Sequence, residues 1–493
     1  MTKLTKEKRG IIRGNNGSDN KAKYAQYFTP VAVSDHMVQM FADDCRKQVS
    51  ILDPGAGEGI LGLSLAKRLI GQGLKTSTTL IEVDKQVFQS LKKNASQINN
   101  SGSDAVELLN SDFMKESFKL LHNGQRFSHV IMNPPYFKLQ RDDEVSDYLM
   151  SCGVSVTNMY AAFMWLGLML LADNGQMVAI VPRSFCNGPY FFRFREYIAS
   201  NVSIEAIHTF SSRDKVFSKD QVLQENVIIR FVKCSQSEEV TVTYSSDQNS
   251  DDVLEASFRV SEIINKDHGL TICVPPYLGT VRLADYAKHS LLELGLEVST
   301  GPVVDFRLKD SIAQEGGRGS VPLLYPAHMK AGQIKWPLNK LPKKGQHYFP
   351  QPDLWDNREA SLSGDKNVLP ADGYYVVIRR FSSKEEKRRI HTAVVDPSIC
   401  PDGIAFENHL NYFHSKKHGL DKDLAYGLAA YLNSSLLDEH FRTFSGHTQV
   451  NATDLRNLPY PSEVQLRGIG RIALSSSTPI ESVVTEEVLE VCA

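Results

Sequence analysis

The stretch VSILDPGAGEGILGLSLAKRLIGQG (49–73) decides the fold. VSILD (49–53) is a short β-branched run, and ILGLSLAKRLIGQG carries apolar residues at helical spacing. Between them DPGAGEG (53–59) forms a glycine-rich turn, so the stretch reads strand, turn, helix. Glycine lets the backbone turn tightly and approach a ligand that a Cβ would exclude. The spacing is G-x-G-x-G, unlike the G-x-G-x-x-G of dinucleotide folds. Asp53 at the strand's end brings a carboxylate to the turn, which suits a cation or an ammonium better than a pyrophosphate.

Outward from this stretch the same rhythm continues. TTLIEVD (78–84), VELLNSDF (106–113), FSHVIMNPPY (127–136) and QMVAIVP (176–182) read as further strands. Helical segments such as QVFQSLKKNASQI and MYAAFMWLGLMLLADNG separate them. IEAIHTF (204–210) and NVIIRFV (226–232) close the series as neighbouring strands. Strands alternating with helices predict an α/β fold with a doubly wound, mostly parallel sheet. Glu82 is expected at the end of the second strand, where an acid accepts ribose hydroxyls. Asp112 is expected at the end of the third, where it and Phe113 suit an exocyclic amine and an adenine face. Three acids and the glycine turn on one rim fit S-adenosylmethionine, which carries both an ammonium and a sulfonium.

NPPY (133–136) falls on that rim, after the fourth strand. Two prolines end any strand, because neither donates a ladder hydrogen bond. A base amine is a poor nucleophile, its lone pair being delocalised into the ring, and acceptors that hold it draw the nitrogen toward a tetrahedral geometry. Asn133 supplies a side-chain oxygen, and Pro134 a backbone carbonyl whose direction Pro135 restrains. Tyr136 offers a face on which a flipped-out base stacks, worth roughly 1–3 kcal/mol. This chemistry needs neither a metal nor a covalent nucleophile.

Composition bounds the rest. The chain has 493 residues, 42% apolar and 23% charged, which predicts a globular protein of two or three domains. Seven scattered cysteines (Cys45, Cys152, Cys186, Cys234, Cys273, Cys400 and Cys492) form no CxxC or Cys/His cluster, so no structural zinc is expected. They fit a reducing cytoplasm. No apolar run reaches the roughly eighteen residues of a membrane span. The net charge of −2 neither announces nor excludes nucleic acid, since the local field decides binding. The expected layout is a basic leader (1–20), a catalytic domain (21–245), the polar boundary SSDQNSDD (245–252), a second mixed α/β domain (253–462) and a weakly patterned tail (463–493).

KYAQYFTP, DPGAGEG, IEVD, SDF and NPPY, in this order, resemble the gamma class of bacterial DNA amino-methyltransferases, which methylate adenine N6. The resemblance covers roughly residues 20–235 and implies a Rossmann-like class I methyltransferase domain. It implies that Thr29 holds the cofactor's carboxylate, Asp53 and the Gly55–Gly57 backbone its methionine portion, and Glu82 its ribose. Asp112 would bind the adenine amine, with Phe113 beside the ring and Phe163 on its other side. Phe217 would sandwich the extruded base with Tyr136. The second domain would then recognise the DNA target, and His447, Thr448, Gln449 and Arg456 are its candidate contacts. SSKEEKRR (382–389) reads as a solvated turn or a phosphate-contacting tip.

The expected activity is a site-specific, S-adenosylmethionine-dependent transfer of methyl to adenine N6 in double-stranded DNA, after base flipping. The resemblance further implies a restriction–modification system with a cognate restriction endonuclease. A monomer is the default assembly, and no membrane partner is expected. The competing readings are methylation of RNA or of a protein glutamine amide, and a catalytically inactive DNA-binding module.

Overall fold

The computed structural model describes residues 29–96, 105–139, 144–151, 153–154, 156–210, 226–245, 253–266, 269–275, 283–308, 312, 320–330, 332–338, 348–350, 367–382, 386–399, 402–445, 448–475, 484–485 and 487–488. These fold as two compact units. The first draws on Met1–Phe185 and Pro189–Ile272, the second on Cys186–Gly188 and Cys273–Ala493.

The first unit is built on strands β1 (Gln48–Pro54), β2 (Lys75–Ile81), β3 (Ala105–Leu109), β4 (Phe127–Met132), β5 (Leu171–Pro182), β6 (Ser203–Phe210), β7 (Asn226–Val232), β8 (Glu239–Ser245) and β9 (Leu254–Arg259). Its helices are α1 (Val31–Gln39), α2 (Ile60–Gly71), α3 (Lys85–Ala95), α4 (Phe113–His122), α5 (Glu144–Ser151), α6 (Met159–Met169), α7 (Phe192–Asn201) and the short α8 (Val260–Ile263). A small ladder of β10 (Ile264–Asn265) and β11 (Thr271–Ile272) closes the unit. The nine described strands stand in the order β3-β2-β1-β4-β5-β7-β6-β8-β9. β1 to β5 are parallel, and β7 is inserted antiparallel between β5 and β6. The central strands are almost wholly apolar; every residue of β4 is buried, as expected of strands covered on both faces. One face carries Val33 and Met37 of α1 and Leu61, Leu65 and Leu69 of α2 against Ile51, Ile131 and Ile180.

The strand order reverses between β1 and β4. Crevices that take ligands in open α/β sheets lie outside the carboxyl ends of strands at such a point. The turn after β1 is closed by backbone bonds from Gly55 and Ala56 to the carbonyl of Ile81, at the end of β2. Gly55, Gly57 and Gly59 all have positive φ, where a side chain is disfavoured. Gly62, inside α2, has a different reason: a Cβ there would come within 2.5 Å of Leu80 and 2.9 Å of the Asp53 Cβ. Its lack of a side chain lets the helix lie against β1 and β2.

β9, which follows the polar stretch 245–252 in the chain, pairs antiparallel with β8, so the sheet continues beyond that stretch. The division between units therefore falls at 272/273 instead of at 245–253. Composition marked a loop, and strand pairing carried the sheet past it.

The described residues of the second unit form two sheets. The larger has the order β12 (Glu297–Thr300), β21 (Leu410–His414), β18 (Tyr375–Arg379), β19 (Thr392–Val395), β15 (Gln333–Ile334) and β14 (Met329–Lys330). The smaller has β16 (Tyr348–Pro350), β13 (Ser320–Leu324), β20 (Ile404–Phe406) and β17 (Val368–Leu369). The segment LAYGLAAYLNSSLLDEHF, which reads as one helix, is two: α9 (Lys422–Leu432) and α10 (Ser435–Phe444). Ser434 breaks it by accepting from the Leu437 N–H, a cap that starts a new helix. Asn451 caps the short α11 (Ala452–Arg456) in a reciprocal box with Asp454.

The tail begins with a helix. Residues Glu463–Ser475 form α12, whose Leu466 and Ile469 join the core of this unit. A Cβ on Gly427 of α9 would stand 1.7 Å from the Leu466 carbonyl oxygen, and one on Gly470 only 1.8 Å from that of Asp423. The two helices thus meet backbone to backbone, a contact that apolar patterning does not register. The mixed-charge run 382–389 is likewise no solvated turn throughout. Arg389 is fully buried; its backbone N–H donates to Asp438 (2.5 Å) and its Nε to Ser382 (3.1 Å). Residues 383–385 lie outside the described residues.

Candidate active site

Asp53, Glu82, Asp112 and Asn133 all come from the carboxyl ends of β1 to β4 or the turns just beyond them. Asp53 is the penultimate residue of β1. One of its oxygens accepts from the Gly62 N–H at 2.8 Å, in the first turn of α2. The other, Oδ1, is buried without a hydrogen-bond partner. Burial pushes the Asp53 carboxyl up to about 7 against the pull of the Gly62 N–H, and the charge of Glu82 adds to the rise. Glu82, one residue past β2, spends its oxygens on the glycine turn and on its own exit: it accepts from Gly57 N–H at 2.8 Å and from Asp84 N–H at 2.7 Å. Burial raises its pKa too, opposed by those N–H groups.

This arrangement fits a cation-bearing cofactor. A buried carboxylate oxygen with no partner costs free energy until a donor arrives. A Cβ placed on Gly57 would meet nothing within 4 Å, so the turn leaves open space on that side. Asp53, whose pKa burial and the Glu82 charge both raise, gains from a positive group brought near it.

Asp112 lies beyond β3, not at its end, and caps α4 by accepting from the Met114 N–H at 2.9 Å. Phe113 and Phe163 are both buried, but their ring centroids are only 4.8 Å apart, tilted by 53°. A base between two rings needs twice the carbon contact distance, about 7 Å. The expectation that they flank opposite faces of an adenine is therefore corrected: they touch each other and form one wall, with Phe163 also 3.5 Å from the Cβ position of Gly55.

In the NPPY segment Pro134 is buried, while Asn133, Pro135 and Tyr136 are half-buried. The Asn133 Nδ2 donates to Thr29 Oγ1 at 3.0 Å, across 104 residues of chain. The Tyr136 hydroxyl stands 2.9 Å from Asn133 Oδ1 and 3.0 Å from the Ile180 carbonyl oxygen of β5. Both ends of the carboxamide are thus oriented. Thr29, expected at the cofactor's carboxylate, also positions Asn133. Tyr160 of α6 meets the Tyr136 ring edge-on at 6.3 Å and shares a 2.7 Å hydrogen bond with Ser184. Sequence reasoning missed Gly62, Asp84, Tyr160 and the Ile180 carbonyl. A glycine inside an apolar helix, at 62, was the one signal available for any of them.

Phe217 and His447 lie outside the described residues. Thr448 is exposed, and its carbonyl accepts from the Ser382 N–H. Gln449 forms a β-bridge with Phe381. Arg456 is exposed but donates to the Val298 carbonyl at 2.9 Å, bracing α11 on β12. Among the described residues no cluster of metal-ligating side chains occurs, and no helix is long and apolar enough to cross a membrane.

The sheet order with its antiparallel β7, the glycine turn after β1 and the acids on the next strand ends are those of a class I S-adenosylmethionine-dependent methyltransferase. The Eco57I restriction-modification methylase family matches residues 60–217. The chain is 37% identical over 484 residues to the Type II methyltransferase M.BsuBI of Bacillus subtilis, covering 96% of this chain and 94% of that protein. It is 36% identical to the Type II methyltransferase M.PstI of Providencia stuartii, covering 91% and 89%. The fold also matches the Type IIL restriction-modification enzyme MmeI, solved in complex with DNA, with a TM-score of 0.51 and 15% identity over 90% of this chain and 67% of that one. The chain belongs to the type II methyltransferases, the site-specific DNA methyltransferases of restriction–modification systems.

Proposed function

We propose that this methyltransferase acts on the N6 amine of an adenine swung out of duplex DNA, with S-adenosylmethionine as donor. The observation that carries the reading is the Asn133 carboxamide, held by Thr29 and Tyr136 at the end of β4 beside the point where the strand order reverses. Asp53 and the Gly55–Gly57 backbone would hold the methionine portion of the cofactor, Glu82 its ribose, and Asp112 with Phe113 its adenine. When bound, the cofactor supplies a methyl group already activated on a sulfonium. The protein's own task is then positioning and electrostatics.

Asn133 and the Pro134 carbonyl accept the two N–H bonds of the amine, which draws electron density back onto nitrogen. Tyr136 stacks on the extruded base. Asn133 is no general base, so the departing proton passes to solvent. A duplex adenine cannot present its amine in this way, so flipping precedes transfer. The second unit supplies target recognition, with Thr448 and Gln449 among the contacts. A restriction endonuclease of the same specificity accompanies such an enzyme, and the DNA it protects places it in the cytoplasm. It works on one strand at a time as a monomer.

The test is radiolabelled methyl transfer to duplex DNA, followed by digestion of the product to nucleosides. N6-methyladenine is the expected product. Asn133→Ala should abolish measurable transfer while binding the cofactor as the wild type does. Unchanged turnover in that variant, or label on cytosine, would remove the reading.

A further inference from the structure

In the second unit three loops are tied into one edge by backbone hydrogen bonds. The Arg380 N–H donates to the His409 carbonyl at 2.9 Å, the Val450 N–H to Arg380 at 2.8 Å, and the Ser382 N–H to Thr448 at 3.1 Å. The Asn408 N–H donates to Val303 at 2.9 Å, which brings the 303–308 segment to the same edge. An edge so bonded is rigid, which suits side chains that must meet a ligand in one geometry.

Its side chains are unusual for a surface. Phe381 is 42% exposed and Phe306 is 63% exposed. Exposed rings of this size need a reason, since burying them is worth more than leaving them in water. Each is coupled to a basic or ionisable group. The Arg307 guanidinium lies 5.6 Å from the centre of the Phe306 ring. The Phe381 ring stacks on His409 at 5.3 Å and 42°. His409 itself is held from below. Glu407, whose side chain is 2% exposed, accepts from the His409 backbone N–H at 3.0 Å and is hydrogen-bonded to ring Nδ1. The His409 side chain is 51% exposed, and the bond between Nδ1 and the buried carboxylate fixes the orientation of the ring. Gln449, bridged to Phe381, adds a carboxamide to the same edge.

We infer that the edge carrying Phe381, His409, Phe306, Arg307 and Gln449 is where this unit reads the bases of its duplex target. An imidazole nitrogen, a guanidinium and a carboxamide are the groups that discriminate base edges, and an apolar ring abuts a thymine methyl or wedges a base step. The fixed ring of His409 makes its contact directional. This assignment is separate from the methyl-transfer chemistry, although it rests on duplex DNA being the substrate. Arg456 instead braces the fold, and Phe381, His409, Phe306 and Arg307 join Gln449 as the reading groups.

The experiment begins with the wild-type enzyme and plasmid DNA, its methylated site found by modification-sensitive sequencing. Duplex oligonucleotides carrying that site, and every single-base change of it, then serve as substrates for Phe381→Ala, His409→Ala and Arg307→Ala. Thermal melting and cofactor binding confirm that each exposed-residue variant is folded. Phe381→Ala and His409→Ala should raise KM for the site roughly tenfold or more, with kcat near wild type. His409→Ala should also relax discrimination at one base position, which loss of a structural brace would not do. Variants with wild-type KM and wild-type discrimination would overturn the inference while leaving the methyltransferase reading intact. A wild-type enzyme that methylates no duplex would remove the substrate, and this inference with it.

Discussion

Burial sets the Asp53 carboxyl at about 7, so the free enzyme holds it half protonated near neutral pH. In the role proposed for Asp53, its ionised form meets the cation-bearing cofactor. Its affinity should therefore rise with pH and level off above 7, and binding below 7 should release a proton. By simple titration the dissociation constant should be about twofold above its plateau at pH 7, about tenfold at pH 6 and about a hundredfold at pH 5. Asp53→Asn removes the titrating group: affinity should be lower at pH 8 and the slope between pH 5 and 7 should vanish. Equilibrium binding of S-adenosylmethionine by calorimetry in two buffers of different ionisation enthalpy measures the constant and the proton together. Subtracting the Asn variant cancels any titration of the ligand itself. A wild-type slope equal to that of Asp53→Asn would refute the reasoning.

The same group has the opposite effect on the stability of the free protein. Its folded pKa lies above the unfolded value of 3.8, so the folded state binds the extra proton between the two. The contribution is present below the unfolded pKa and is lost as pH rises toward 7. About three pKa units correspond to roughly 4 kcal/mol. Cofactor binding should thus stabilise the enzyme most where Asp53 costs it most, above pH 7.

Two further outcomes are expected. Tyr136→Phe keeps the ring but removes the hydroxyl that orients Asn133, so kcat should fall roughly two- to tenfold with little change in KM; Tyr136→Ala should fall further, by the loss of stacking. Steady-state kinetics on one duplex separates the two effects, and equal losses would deny the hydroxyl its role. Gly470→Ala places a Cβ where α12 meets the backbone of α9, and should lower unfolding free energy by about 3 kcal/mol or more, read from the urea midpoint. A change under about 0.5 kcal/mol would show that the helices can part at no cost.

Most of the candidate site was legible along the chain because it is local. Short apolar runs that end in an acid or in NPPY specify strand ends, and four such ends in succession specify a rim. That reading needed no knowledge of which strands are neighbours, and Asp53, Glu82 and Asn133 stand where it put them. Sequence alone therefore determined the α/β class, the order of the strands along the chain and the residues at their tips.

Contacts between distant segments were decided only on folding. Thr29 meets Asn133, and Glu82 fastens the Gly57 turn, because β1, β2 and β4 lie side by side. Phe113 touches Phe163 instead of facing it across a gap because α4 and α6 share one face of the sheet, and spacing in the chain carries no such distance. The polar stretch 245–252 resembled a boundary, yet hydrogen bonding between β8 and β9 outweighs local composition. In the second unit too, folding joins residues that spacing along the chain does not pair. Phe381 and His409 lie 28 positions apart, brought into contact by the Arg380–His409 backbone bond.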